Sequence, residues 1–578
     1  MAYSRARRLL PFLGWPRVDA KTLSQDLLAG LAVSLLAIPQ SLAYAQLAGV
    51  PAYYGLYAAF IPSIVGILFG SSAILSTGPV ALTSLLTFAS VSQFAAPGGA
   101  EFISYVTLLA LLSGLFQIGL GLARAGLLLN LLSHPVLMGF INASALVIAL
   151  SQLPALTGIT VARSDSFMLD VVHTLARFDS LHVRSLVAGL LALVLLYVFK
   201  RFAPRLPGVL MTVAILTWLS YATDFAQQGG QVVGSIPAGM PSLSVPAMGW
   251  DAIVVLLPAA FVIALVSFME AMSSCKVIAV KTRTRWDENQ ELIGQGLAKV
   301  VAAFCNSMPV SGSLSRSALN LASRAQTGFS GLFAAGFVLL TLVFFTPLLY
   351  HLPKPALAAM ILMAVVNLID VGSLRNAWLA NRDDGIAALL TFCATLAFAP
   401  NIQNGILVGI LFSLGAFLYR RMAPRIVRVG FHEDGTLRDA DAHVLQPLPE
   451  TIAALRFDAA LFFVNASFFE EAVQKLVRGN PRLKTILVDA HGINMIDASA
   501  VEMLRSLLGH LRERGITLVF SGAKRQVLDV MERTGLADEI GAANFFVSDA
   551  MAWKQLIAAP DPAEQSTGSA AAPRPAQS

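Results

Sequence analysis

What this chain can fold into is limited first by its recurrent apolar stretches, each long enough to enter a bilayer. A hydrocarbon core calls for about 20 apolar residues per helix. Stretches of that kind occupy 27–48, 52–70, 102–122, 127–150, 184–201, 207–222, 251–275, 331–350, 355–371, 385–399 and 402–419. Less obvious segments at 78–92, 287–304 and 312–324 bring the set to about fourteen; the first and last are short, rich in Ser and Thr, and headed by Pro. Only 13% of the residues are charged, against about 25% in an ordinary soluble protein. Mean hydropathy is +0.70. These values exclude a soluble enzyme, a disordered chain and a nucleic-acid-binding domain, despite a pI near 9.3.

Charge placement gives a topology. Residues 1–437 hold 26 Lys/Arg against 17 Asp/Glu, whereas 438–559 hold 13 against 15 at about twice the density. Positive charge gathers on cytoplasmic loops. With the N-terminus inside, Arg124, Lys200, Arg201, Arg205, Lys276, Lys281, Arg283, Arg285, Arg324, Arg375, Arg382, Arg420, Arg421 and Arg425 fall inside, and the outer loop 224–249 has no Lys or Arg. Arg163, Arg177 and Lys354 are exceptions. The basic segment 1–25 lacks the apolar core and cleavage site of a signal peptide and reads as a cytoplasmic lead-in. The expected arrangement is a cell-membrane protein with a transmembrane domain over 26–425 and a cytoplasmic domain over 438–558.

In the C-terminal domain, strands are expected at 460–464, 485–489 and 516–521, with helices at 467–478, 499–514 and 524–534. That alternation implies a mostly parallel sheet with helical cover. Residues 559–578, built of Ala, Pro, Ser, Gln and Gly, read as a disordered tail. Cys275, Cys305 and Cys393 suggest small buried hydrophobes and no disulfide or metal framework.

An internal repeat marks a candidate site. Ser76-Thr77-Gly78-Pro79-Val80-Ala81 and Asn306-Ser307-Met308-Pro309-Val310-Ser311 each carry a Pro-Val pair, and the prolines are 230 residues apart. Gln40, after the helix-breaking Pro39, and Glu270 stand at the same offset. Interrupted helices at matching places in two halves are the pattern of inverted repeats, here of seven spans each. A helix that starts within the membrane presents unpaired N–H groups and the positive end of its dipole. Two such ends make an anion site, and Gly78, Ser313 and Ser315 let an oxyanion approach the backbone.

Ionisable groups inside a membrane are expensive and mark function. Arg316 adds a fixed cation, unless it reaches out to the inner interface. Glu270 repels an anion unless protonated, so it can carry a proton in with the substrate; the alternative is a structural partner for a Lys or Arg. Tyr44, one turn after Gln40, shares its face and either closes the cavity or packs in the core.

These segments resemble the sulfate permease family. The resemblance runs through Pro39-Gln40-Ser41-Leu42-Ala43-Tyr44-Ala45, Gly49-Val50-Pro51, Tyr54-Gly55-Leu56-Tyr57, Ser76-Thr77-Gly78-Pro79-Val80-Ala81 and Ser313-Leu314-Ser315-Arg316-Ser317. It implies an α-helical polytopic membrane protein with seven plus seven inverted repeats, core and gate domains, a cytoplasmic STAS domain and a homodimer. It places substrate between half-helices starting near Pro79 and Pro309. Gln40 and Tyr44 line that place, the N–H groups of Val80, Ala81, Ser315 and Arg316 face it, and Glu270 couples transport to protons. No cofactor is implied.

The STAS resemblance rests on Ile486-Leu487-Val488-Asp489, Ile496-Asp497-Ala498-Ser499-Ala500 and Arg514-Gly515-Ile516. Ser499 matches a serine phosphorylated in related anti-sigma-factor antagonists. It is also expected to cap the following helix, with Glu502 completing a capping box. A regulatory partner would act at this domain. The leading expectation is a proton-coupled oxyanion importer, sulfate first, with bicarbonate or a C4-dicarboxylate as other substrates. An uncoupled exchanger or channel, a nucleobase permease and a membrane-anchored signalling protein are the competing readings. No nucleophile–base pair, His cluster or phosphate loop supports an enzyme.

Overall fold

Each apolar stretch forms a helix, and several of their ends are set by short polar side chains. The computed structural model describes residues 10–558 except 16–17, 127–132, 160–166, 204–205, 238, 247–248, 367, 433–435, 444 and 446–447. Part of the 1–25 lead-in, Arg163, Arg205 and the 559–578 tail therefore lie outside the described residues. The first half holds α1 (Ala20–Leu47), α2 (Tyr53–Ala59), α3 (Ile61–Phe69), β1 (Thr77–Gly78), α4 (Ala81–Val91), α5 (Ala100–Leu122), α6 (His134–Ser151), α7 (Val183–Phe202) and α8 (Gly208–Ala222). The second holds α9 (Trp250–Thr282), α10 (Glu288–Phe304), β2 (Ser311–Gly312), α11 (Leu314–Ala322), α12 (Phe329–Leu340), α13 (Lys354–Val366), α14 (Val371–Ala380), α15 (Arg382–Ala397) and α16 (Gln403–Met422).

The order repeats: a long helix, a shorter helical stretch, a two-residue strand, a short helix, then further spans. Asp19 caps α1 by accepting from Thr22 N at 2.8 Å, and Asp287 caps α10 by accepting from Asn289 N and Gln290 N. Pro39 within α1 and Pro258 within α9 interrupt their backbone ladders, since proline has no N–H. Among the described residues, eight helical stretches are long and apolar enough to cross a membrane. Val187, Leu190, Val194 and Tyr197 of α7 are exposed at helical spacing, an outward apolar stripe that suits lipid rather than water. Cys275 and Cys305 are buried as expected, but Cys393 is exposed on α15.

Glycine lets α10 thread between its neighbours. A Cβ at Gly114 of α5 would meet Gly296 O at 2.7 Å, and one at Gly296 would meet Gly114 O at 2.7 Å. On its other side, a Cβ at Gly294 would meet Gly70 N at 2.5 Å. Small residues at such contacts let helix backbones approach closely.

Residues 414–578 form a separate unit. It contains β3 (Ile426–Phe431), β4 (Leu437–Asp439), β5 (Ile452–Phe457), α17 (Ala466–Gly479), β6 (Thr485–Asp489), α18 (Ala498–Glu513), β7 (Thr517–Ser521), α19 (Arg525–Arg533), α20 (Leu536–Ile540), β8 (Phe545–Phe546) and α21 (Asp549–Ala558). The sheet order is β4-β3-β5-β6-β7-β8. β5, β6, β7 and β8 run parallel, while β3 pairs antiparallel with β4 and β5. Alternation divides the side chains: Ile486, Val488, Leu518 and Phe520 pack with Phe469, Leu504 and Leu507, whereas Leu487 and Val519 pack with Ala552.

Two expectations are corrected here. Residues 460–464 are not a strand: Leu461 makes one isolated bridge to Ile496, and the strand is β5, just upstream. Ser499 does not cap α18. Asp497 does, accepting from Ala500 N at 2.9 Å, because the helix begins at Ala498, two residues earlier than a Ser499 cap implies. Ser499 lies exposed in the first turn, and Glu502 pairs with Arg505 at 2.6 Å.

Candidate functional site

The two Pro-Val segments meet. β1 and β2 pair antiparallel, Thr77 opposite Gly312 and Gly78 opposite Ser311, and Ser313 N extends the ladder to Ser76 O at 2.8 Å. Each strand leads directly into a short helix, so α4 and α11 both begin at this crossing. Their starts differ in one respect from expectation. Val80, next to Pro79, is the N-cap of α4, but α11 starts well past Pro309. Its cap is Ser313, whose Oγ accepts from Arg316 N at a long 3.4 Å. No side chain caps α4.

Arg316 is buried at the crossing, 1% exposed, rather than extended to an interface. Its Nη1 donates to Pro79 O at 2.8 Å and its Nε to Ser76 Oγ at 3.3 Å. Its Nη2 has no partner among the described residues. A buried donor left unpaired costs about 1–3 kcal/mol, more when charged. Other unpartnered buried polar atoms occur on the elements around it: Gln40 Oε1 on α1, Thr83 Oγ1 and Ser84 Oγ on α4, and Glu270 Oε2 on α9. Buried polar atoms normally find partners, so these atoms are candidates for contact with a ligand.

The remaining expected residues gather here. Tyr44 is buried and, like Glu270, lies within the electrostatic reach of Arg316. Glu270 has the Ser311 and Thr83 hydroxyls beside its carboxyl and feels the charges of Arg316 and Lys299. Val80 and Ala81 are buried at the start of α4, while Ser315 is exposed and marks an open side. A cavity of about 20 Å3, lined by Ser63, Ser76, Thr77 and Arg316 among others, has room for about one water and not for an oxyanion.

A scaffold behind the site escaped the sequence reading. Ser317 Oγ accepts from Ser76 N at 2.9 Å and Asn320 Nδ2 donates to Ile74 O at 3.0 Å, so α11 clamps the strand it crosses. Gln295 Nε2 donates to Thr77 Oγ1 at 2.8 Å and to Glu291 Oε1 at 2.9 Å. Glu291 Oε2 in turn accepts from Ser71 N at 2.8 Å and Ser72 N at 3.0 Å. Lys299, completely buried, donates to Gln117 Oε1 at 2.9 Å. Glu291, Gln295 and Lys299 are spaced four apart, one face of a helix; that spacing was the available signal.

Known proteins agree with this architecture. The profile of the sulfate permease family matches residues 23–391, and that of the STAS domain matches 446–550. The chain is 34% identical to probable sulfate transporter 4.2 of Arabidopsis thaliana, covering 90% of this chain and 79% of that protein. It is 32% identical to the sodium-independent sulfate anion transporter of Bos taurus, over 91% and 88%. Its fold matches that of murine solute carrier 26 family member A9, an anion transporter solved in the inward-facing state, at 21% identity and a TM-score of 0.88, over 96% of this chain and 95% of that one. The chain is a multi-pass helical membrane protein of the transporter type followed by a STAS domain, and it belongs to the sulfate permease family.

Proposed function

We propose that this protein is a proton-coupled importer of small oxyanions, with sulfate as its first substrate. The observation that carries the reading is the unpartnered Arg316 Nη2, buried where two short helices begin. Once the crossing opens beyond its present cavity, an oxyanion accepts from Nη2 and from the first N–H groups of α4 and α11, those of Val80, Ala81 and Ser315 and, in exchange for Ser313 Oγ, that of Arg316. Gln40 and Tyr44 line the same place. Relatives bearing the name sulfate transporter support the choice of sulfate.

A divalent anion entering against the membrane potential needs compensation. At about 2.3 kcal/mol per charge per 100 mV, two charges cost roughly 4–5 kcal/mol. Glu270 supplies part of this by entering protonated: the neutral carboxyl does not repel substrate, and the proton leaves inside. The working unit is a homodimer in the cell membrane, with the STAS domain cytoplasmic and open to a regulatory partner, there also exposing Ser499 to phosphorylation. No cofactor beyond the coupling proton is required.

The test is uptake by proteoliposomes of sulfate, bicarbonate, succinate or fumarate, with and without proton and sodium gradients. Sulfate accumulation driven by an inward proton gradient is expected. Uptake driven by sodium alone, or indifferent to every gradient, overturns the coupling.

A further inference from the structure

Lys299 is a buried cation that the site as described so far does not use. It stands on α10, fully enclosed, and its hydrogen bond among the described residues goes to a neutral acceptor, Gln117 Oε1. Gln117 is itself fixed: its Nε2 donates to Ala264 O at 2.7 Å and Ser267 Oγ at 3.0 Å. Ser267 lies one helical turn before Glu270 on α9, and its carbonyl accepts from Ser311 Oγ at 2.7 Å. One chain of contacts thus joins the ammonium, the Glu270 helix and β2. A buried charge needs a compensating partner, and the charge acting on Lys299 is that of Glu270.

We propose that Lys299 is a positioning residue for proton coupling: it is the counter-ion that lets Glu270 release its proton once the anion has left. This rests on the proton-coupled reading above and deepens it. With substrate bound, Arg316 faces the anion and Glu270 holds its proton. When the anion departs, the Glu270 O–H bond breaks, the proton passes to water on the inner side, and the carboxylate is left opposite Lys299 as a net-neutral pair. The empty carrier then returns without the proton. Glu270 also faces Arg316 from α11, Tyr44 from α1 and the hydroxyls of Ser311 and Thr83. Arg316 shares that field, but its Nη1 and Nε are held at the crossing. Glu291, two turns earlier on α10, is occupied by Ser71, Ser72 and Gln295.

The experiment compares two modes in proteoliposomes bearing the full chain. Net uptake requires the empty carrier to return; counterflow of labelled against unlabelled sulfate does not. In Lys299→Met, net uptake is expected to fall at least tenfold and lose its response to outer pH, with counterflow kept within about threefold of wild type. Lys299→Arg, which keeps the charge, should recover part of net uptake. Net uptake and pH response unchanged in Lys299→Met overturn the proposal. So does loss of both modes in a monodisperse protein, the signature of a lysine that only holds the helices. Wild-type protein that carries no sulfate in either mode would instead overturn the transport reading beneath it.

Discussion

Arg316 Nη1 donates to the carbonyl oxygen of Pro79 at 2.8 Å, across 237 residues of sequence. The bond fixes the guanidinium against the approach to α4 while leaving Nη2 unpartnered. A lysine there has no fork with which to do both. Arg316→Lys should therefore fold but lose about 10–100-fold in sulfate affinity, the range of a lost hydrogen bond to a charged group. Equilibrium binding to the purified protein measures this.

Gly78 lies close under the same guanidinium. Its φ is +156°, and a Cβ there would meet Arg316 Nη2 at 2.9 Å. Gly78→Ala must displace the arginine's free nitrogen from its present place. Affinity is expected to drop about tenfold or more, equivalent to about 1.4 kcal/mol, and thermal unfolding should move to lower temperature, because a side chain at this φ is strained. Binding and melting curves measured side by side separate the two effects.

Glu270→Gln keeps the size of the side chain and removes its titration. In the wild type, uptake should rise as the outer pH falls, because more carriers load a proton with the anion. In the variant the pH profile should be flat and counterflow should persist. A variant that retains the wild-type pH response assigns the proton to another group.

In the STAS domain the expected costs are reversed between two neighbouring residues. Asp497→Ala removes the cap of α18 and should cost about 1 kcal/mol, read as about fivefold faster hydrogen exchange at residues 498–501 of the full chain. Ser499→Ala, at an exposed first-turn position, should leave that exchange nearly unchanged.

Asp439, at the end of β4, has its carboxyl held below the usual range. The backbone N–H of Ala442 is the main cause, with that of Asp441 and the charge of Arg425 adding to it. A folded value below the unfolded one gives stability that is present above the unfolded pKa and lost as pH falls through the folded one. Amides 440–443 should thus exchange faster as pH is lowered below about 4, after correction for the intrinsic rate. Asp439→Asn should weaken that response.

Hydropathy made the helical framework legible, because lipid demands apolar runs of a minimum length. The paired Pro-Val segments made the crossing legible, because a break repeated at one offset in two halves is hard to produce by packing alone. What was hidden is the polar scaffold. Glu291, Gln295 and Lys299 share a helix face, yet α10 also presents Asp287 and Glu288 at its start, so the face looked like a frayed, charged beginning. In the STAS domain, Leu461, Phe462, Phe463 and Val464 have strand-forming side chains, but Phe463 is 71% exposed and α17 follows at once. The true strand, Ile452-Ala453-Ala454-Leu455-Arg456-Phe457, carries alanines and an arginine that suggest a helix. Its parallel pairing with β6 overrides that local preference.

The two-residue ladder between β1 and β2 has a consequence for ancestry. The arginine comes from one half of the chain and the carbonyl that orients it from the other, and each half brings one of the two short helices. Neither half holds the site alone. If a half-length forerunner existed, it could have assembled this crossing only by meeting a second copy of itself.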